Sequence, residues 1–186
     1  LLIGCATPRG LQDRSATAPS DAEGVFVIGV QPAGTKIWFK EGAVSYDHFV
    51  PTPGQMTPVI GVSEDGFIVG RVKGGSTLGI MHINFPFTPT TTRAYAPCGN
   101  NKALVFTVPA GKVVYVGTIE YRPNGVSLSS STRHEMDGAL RFVDAQPPSL
   151  RGRLELASLR SLTTTQSCFV PTPTQAVPVF IPAKKK

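Results

Sequence analysis

Apolar residues along this chain come in short runs that end at glycine, proline or an acidic pair, and that rhythm predicts strands. Residues 25–30 (VFVIGV) are the first run, closed by Pro32-Ala33-Gly34. A continuous apolar stretch this short reads as a buried strand. Residues 35–40 (TKIWFK) are rich in β-branched and aromatic side chains, which suit a pleated surface. The few turn residues between the two runs predict a hairpin.

Residues 41–58 are irregular in pattern, with Pro51, Pro53 and Pro58. Residues 59–62 (VIGV) then face residues 67–72 (FIVGRV) across Ser63-Glu64-Asp65-Gly66. An Asp-Gly step between apolar runs is a strong short-range hairpin signal. Lys73-Gly74-Gly75-Ser76 leads into residues 78–83 (LGIMHI), which completes a three-strand meander. Residues 103–108 (ALVFTV) form another strand, and Pro109-Ala110-Gly111 turns the chain into residues 113–121 (VVYVGTIEY). Strict alternation there puts Val113, Tyr115, Ile119 and Tyr121 on one face. Gly117 interrupts the run and marks a close neighbour or a bend. Residues 126–129 and 139–143 supply the final strands.

One segment reads as helical. Residues 148–162 (PSLRGRLELASLRSL) begin with Pro148 and Ser149, and Leu150, Leu154 and Ala157 share a face. Residues 166–186 carry repeated prolines, which exclude a helix and predict an extended tail. The expected fold is all-β: an antiparallel Ig-like β-sandwich of about seven to nine short strands, with one short C-terminal helix and that tail.

Composition strengthens this reading. Glycine (19) and proline (17) together make about a fifth of the 186 residues, against roughly 12% in average usage. Both shorten helices and punctuate turns. The net charge is +6, and half of it is the terminal Lys184-Lys185-Lys186. The arginines of the second half are scattered, which argues against a nucleic-acid partner. No stretch reaches the roughly 20 apolar residues of a membrane-spanning helix.

The N-terminus supplies the strongest motif. Leu2-Ile3-Gly4-Cys5 resembles the lipobox of bacterial lipoproteins, in which a small residue precedes a cysteine that carries lipid on its sulfur. The resemblance implies lipidation at Cys5, with residues 1–4 a residual signal peptide. Residues 5–23, poor in bulky apolar side chains, read as the lipidated cysteine and a flexible tether. The β-sandwich domain then occupies residues 24–165. Ala6, where an aspartate would signal inner-membrane retention in that family, favours the outer membrane facing the periplasm. Residues 61–80 (GVSEDGFIVGRVKGGSTLGI) and 104–121 (LVFTVPAGKVVYVGTIEY) are also similar to small bacterial lipoproteins of unassigned function. These motifs are structural and carry no catalytic residue across.

With Cys5 acylated, Cys98 and Cys168 remain. An oxidising periplasm would join them in a disulfide; the alternative is two separate thiols. Their spacing, with no C-x-x-C and no clustered histidine, excludes a zinc site. His48, His82 and His134 are the natural general bases. His82 lies within an apolar run and reads as a structural residue. No nucleophile elbow, Walker loop, zincin or dinucleotide fingerprint is present. Tyr115 and Tyr121 on one face would form an aromatic platform or, more commonly, pack the core.

The sequence therefore points to a non-enzymatic, lipid-anchored envelope protein with a binding or assembly role, no cofactor and no metal. Its expected partners are the membrane, through the lipid, and a protein of the envelope; a homo-oligomer is compatible. Val177, Val179, Phe180 and Ile181 in the tail are candidate partner-binding residues, because an extended apolar segment can add to a neighbour's sheet edge. That tail also motivates a rival role as a structural subunit of a larger complex. A second rival is a hydrolase using His48 or His134.

Overall fold

The computed structural model describes residues 18–53, 59–63, 65–88, 90–124, 127–145, 150 and 153–168. Cys5 and the four tail residues Val177, Val179, Phe180 and Ile181 lie outside the described residues. The described chain is mostly strand, with one helix, and it is all-β in class.

The first sheet runs β5 (Phe67–Lys73), β1 (Glu23–Gln31), β9 (Val113–Asn124). The far edge of β9 is shared. Its start pairs with β11 (Leu154–Leu156) and its end with β10 (Ser127–Arg133). The second sheet runs β4 (Val59–Val62), β2 (Lys36–Ser45), β3 (His48–Pro51), β12 (Arg160–Thr164), β8 (Lys102–Val108), β6 (Ser76–Pro86), β7 (Thr92–Tyr95). Because β6 also pairs with β2, the strands β2, β3, β12, β8 and β6 close into a five-stranded barrel. An Ig-like sandwich has two open sheets, and this closure departs from it. Nor is the pairing purely antiparallel: β1–β9, β11–β9 and β12–β3 are parallel.

The predicted hairpins are corrected in an instructive way. β1 does not pair with β2, and β4 does not pair with β5. Instead β1 pairs with β5 from Glu23↔Lys73 to Gly29↔Phe67, and β2 pairs with β4 from Lys36↔Val62 to Phe39↔Val59. These are two halves of one antiparallel ribbon that bends from the first sheet into the second. At the bend the two connections hold each other: Gly34 N–H donates to Ser63 O at 2.9 Å and Ser63 N–H to Thr35 O at 3.1 Å. Asp65 and Gly66 both have positive φ (53° and 81°), as the Asp-Gly signal requires, yet they turn a corner between sheets. The β5–β6 and β8–β9 connections cross between sheets as well, so the predicted meander is divided between them. Corners of this kind are how packed sheets exchange strands.

The main core lies between the sheets. Phe26 of β1 meets Phe39 of β2 and Phe106 of β8 edge-on, at centroid separations of 5.2 Å each. Such pairs contribute about 0.5–1.5 kcal/mol beyond their area burial. A second cluster fills the barrel: Phe49, Met81, Ala103, Val105 and Leu162. Alternation on β8 serves both, with Ala103 and Val105 in the barrel cluster and Phe106 and Val108 in the main core. Far from irregular, residues 41–51 form the end of β2, a tight turn at Tyr46 and Asp47, and β3.

The helix is α1 (Met136–Asp144), where strand was expected, and not residues 148–162, where helix was expected. Met136, Ala139 and Val143 make a helical stripe that covers Val25, Val27, Val113 and Tyr115 on the outer face of the first sheet. Phe142 stacks on Phe67 at 4.6 Å. The leucines of 148–162 serve different surfaces. Leu150 and Leu154 join the helix-covered layer, Leu159 the main core, and Leu162 the barrel; Leu156 is exposed. One helical face cannot meet three separate layers, and the described residues 153–162 are non-helical, supplying β11 and the start of β12.

Gly117 overturns the single-face reading of β9. Val27 pairs with Tyr115 but Gly29 with Thr118, so β9 carries one extra residue there. Gly117 sits in this bulge at φ 117°, where a Cβ would come within 3.3 Å of Arg133 O. The bulge reverses the alternation. Val113 and Tyr115 face the helix, while Ile119 and Tyr121, which share their parity, face the main core.

Candidate functional site

The end of β9 past the bulge, with β10, forms one wall of a cavity of about 380 Å³ between the two sheets. The opposite wall is β6, β7 and the start of β8. Ile80, Ile83, Leu104 and Leu128 provide the apolar lining, and Lys102 and Asn101 stand at its rim. Tyr121 enters from β9 and Tyr95 from β7, which is placed by its pairing Ile83↔Tyr95 with β6.

Both tyrosine hydroxyls are shielded from solvent and have no hydrogen-bond partner within the protein. Tyr121 is only 4% exposed. Burial pushes its phenol well above the ordinary tyrosine range, so it stays protonated and keeps its O–H for donation. A buried hydroxyl without a partner costs about 1–3 kcal/mol, and native folds keep few of them.

Tyr115 shows the contrast. Its hydroxyl bonds Thr118 Oγ1 at 2.8 Å and accepts the Glu135 N–H at 3.2 Å, joining the β9 bulge to the start of α1. It is a fully satisfied structural group on the other side of the sheet, so Tyr115 and Tyr121 form no common platform.

The connection after β7 closes the cavity on one side. Ala96 and Pro97 line it, and the next residue, Cys98, is joined to Cys168 with Cα atoms 4.8 Å apart. Gly99 N–H also donates to Gln166 O at 2.7 Å. This strap is therefore tied to the segment leaving β12. On its other side lies a shallower recess lined by Trp38, Lys40, Met81, His82 and Gln166. There the His82 ring meets Trp38 edge-on at 4.7 Å and its Nε2 donates to Asn84 Oδ1 at 3.0 Å. Lys40 Nζ donates to Gln166 Oε1 at 3.1 Å.

The remaining histidines are elsewhere. His48 opens β3 in the barrel and His134 follows β10 in the first sheet; both are exposed, and neither lines the cavity. Among the described residues, no group of three or more His, Cys, Asp or Glu is placed to hold a metal. No described helix is long and apolar enough to cross a membrane. Sequence reasoning singled out Tyr121 for a different role and missed Tyr95, which reads as part of a polar connection. Nothing local marks Tyr95; its position depends on β7 pairing with β6. Compared with known proteins, the chain matches no family model, no curated protein and no solved structure.

Proposed function

We propose that this protein is a lipid-anchored component of a bacterial cell envelope, attached through Cys5 and facing the periplasm at the outer membrane, with a non-catalytic binding role. The observation that carries the binding role is the cavity of about 380 Å³ with an apolar lining of Ile80, Ile83, Leu104 and Leu128, polar Asn101 and Lys102 at its rim, and a disulfide-tied strap on one side. Cavities of roughly 300–1,000 Å³ with an apolar lining and a few polar groups are the usual form of a ligand site. The Cys98–Cys168 pair supports an oxidising compartment, where such bonds persist. The Leu2-Ile3-Gly4-Cys5 motif supports the anchor, and two acyl chains or more make such an anchor stable.

The anchor is tested by feeding labelled palmitate to the native host expressing the wild-type protein or Cys5→Ser. Label is expected on the wild type alone. Equal labelling of both removes the anchor from the proposal.

A further inference from the structure

We infer that residues 176–183 of the tail dock on their own chain: they add as a strand to the open edge of β10 and place Val177, Val179 and Ile181 in the cavity between the two sheets. The inference rests on the binding role proposed above, because it names the group that a ligand of the cavity has to displace.

Four features place the tail there. The first is an edge without cover. β10 pairs with β9 on one side and, among the described residues, with no strand on the other. Sheet edges are ordinarily blunted by short length, proline or charge. β7, across the cavity, has only four residues and carries Arg93, whose guanidinium lies 3.6 Å from the centre of the Phe87 ring. β10 has seven residues, SLSSSTR, with no proline, no lysine and a single charge at its last position. The second is the cavity beside that edge. Leu128 and Ser130 of β10 line it together with Ile80, Ile83 and Leu104, so side chains on the same face of an added strand enter an apolar space. The third is the pattern of the tail. Val177, Val179 and Ile181 alternate with Pro178, Phe180 and Pro182. In a strand, residues of one parity share a face and direct their N–H and C=O to one neighbour. Both prolines then set their missing N–H toward solvent, as proline in an edge strand requires, while Val177, Val179 and Ile181 keep theirs for β10. The fourth is tethering. The bond from Cys168 to Cys98 holds the start of the tail beside Pro97, which lines the cavity. Residues 169–176 extend to at most about 30 Å, ample to reach β10. A short flexible tether gives an effective concentration on the order of mM, which favours the chain's own tail over that of a second copy.

The test uses the full chain with its disulfide intact, nuclear magnetic resonance for contacts and amide exchange, and light scattering for the mass. Contacts between the Val179 methyls and those of Leu104 and Leu128 are expected in a monomer. Val179→Pro removes an N–H that faces β10, so exchange at the β10 amides turned away from β9 should quicken by about tenfold or more. Phe180→Pro removes an N–H on the solvent side and should leave that exchange unchanged. Slow exchange at the β1 amides reports that the domain is intact in both variants. Equal exchange in wild type and Val179→Pro overturns the inference, as does equal acceleration by the two proline variants. Contacts found only in a dimer also overturn it and give the β10 edge to the tail of a second copy. Octan-1-ol reads the binding role separately. It should shift the Leu104 and Leu128 methyl signals of Val179→Pro at lower concentration than those of the wild type. A shift at the same concentration in both removes the tail from the cavity; no shift in either removes the small-ligand role, with docking of the tail decided by the exchange rates.

Discussion

The ring of Phe49 lies against the bare Cα of Gly79 inside the barrel, and Gly42 meets the same ring from the neighbouring strand. β2, β3 and β6 can therefore close around a phenylalanine only because two of them present no side chain there. Phe49 is fully buried, and a five-stranded barrel has little interior to spare.

Gly79→Ala should accordingly destabilise the protein by about 1–3 kcal/mol through overpacking. Urea denaturation measures it. Phe49→Leu opens room, so the double variant should lose less than the sum of the two single losses. Strict additivity would show that the ring and the glycine do not meet.

Gly117→Ala tests the β9 bulge. The residue sits at φ 117° with Arg133 O close to where a Cβ would go. Strain of this kind costs about 1–3 kcal/mol. The loss should appear in the urea midpoint and be accompanied by faster amide exchange at Glu135, whose N–H reaches Tyr115 beside the bulge. An unchanged midpoint would mean that the bulge is not held by Gly117.

Removing the disulfide should lower stability substantially. The crosslink spans 70 residues, for which the chain-entropy estimate is about 4 kcal/mol. Paired Cys98→Ser and Cys168→Ser changes, or reduction of the wild type, should give the same shift in midpoint. Reduction without effect would show that the strap is held by Gly99 and its neighbours alone.

Tyr121 makes a prediction at high pH. Burial raises its phenol above the ordinary value of about 10. Between that ordinary value and the raised one the folded chain keeps a proton that the unfolded chain releases. Stability is therefore intact below about pH 10 and falls as pH rises beyond it. Tyr121→Phe should flatten that part of the profile, and at neutral pH it should be neutral or stabilising by up to about 1 kcal/mol, since it removes an unpaired buried hydroxyl. Identical alkaline profiles for the two proteins would place the Tyr121 hydroxyl in contact with solvent.

The sequence by itself determined that the chain is built of strands and where most of them lie. Short apolar runs between glycine and proline are local information, and residues 25–30, 103–108 and 113–121 all fall within strands. Gly117 could be read as a bend for the same reason. What local chemistry could not decide is partnership. An Asp-Gly or Pro-Ala-Gly turn has the same backbone signature whether the chain doubles back beside itself or passes a corner into the other sheet, so β1–β2 and β4–β5 were indistinguishable from hairpins. One inserted residue in β9 reversed which side chains face the core, and with it separated Tyr115 from Tyr121. The helix stripe of Met136, Ala139 and Val143 was short enough to pass for a strand until a sheet face needed cover. The cavity depends on all of these at once. Tyr95 and Tyr121 are 26 positions apart in the chain and come together because long-range strand pairing, set by burial across the whole domain, outweighs anything their immediate neighbours specify.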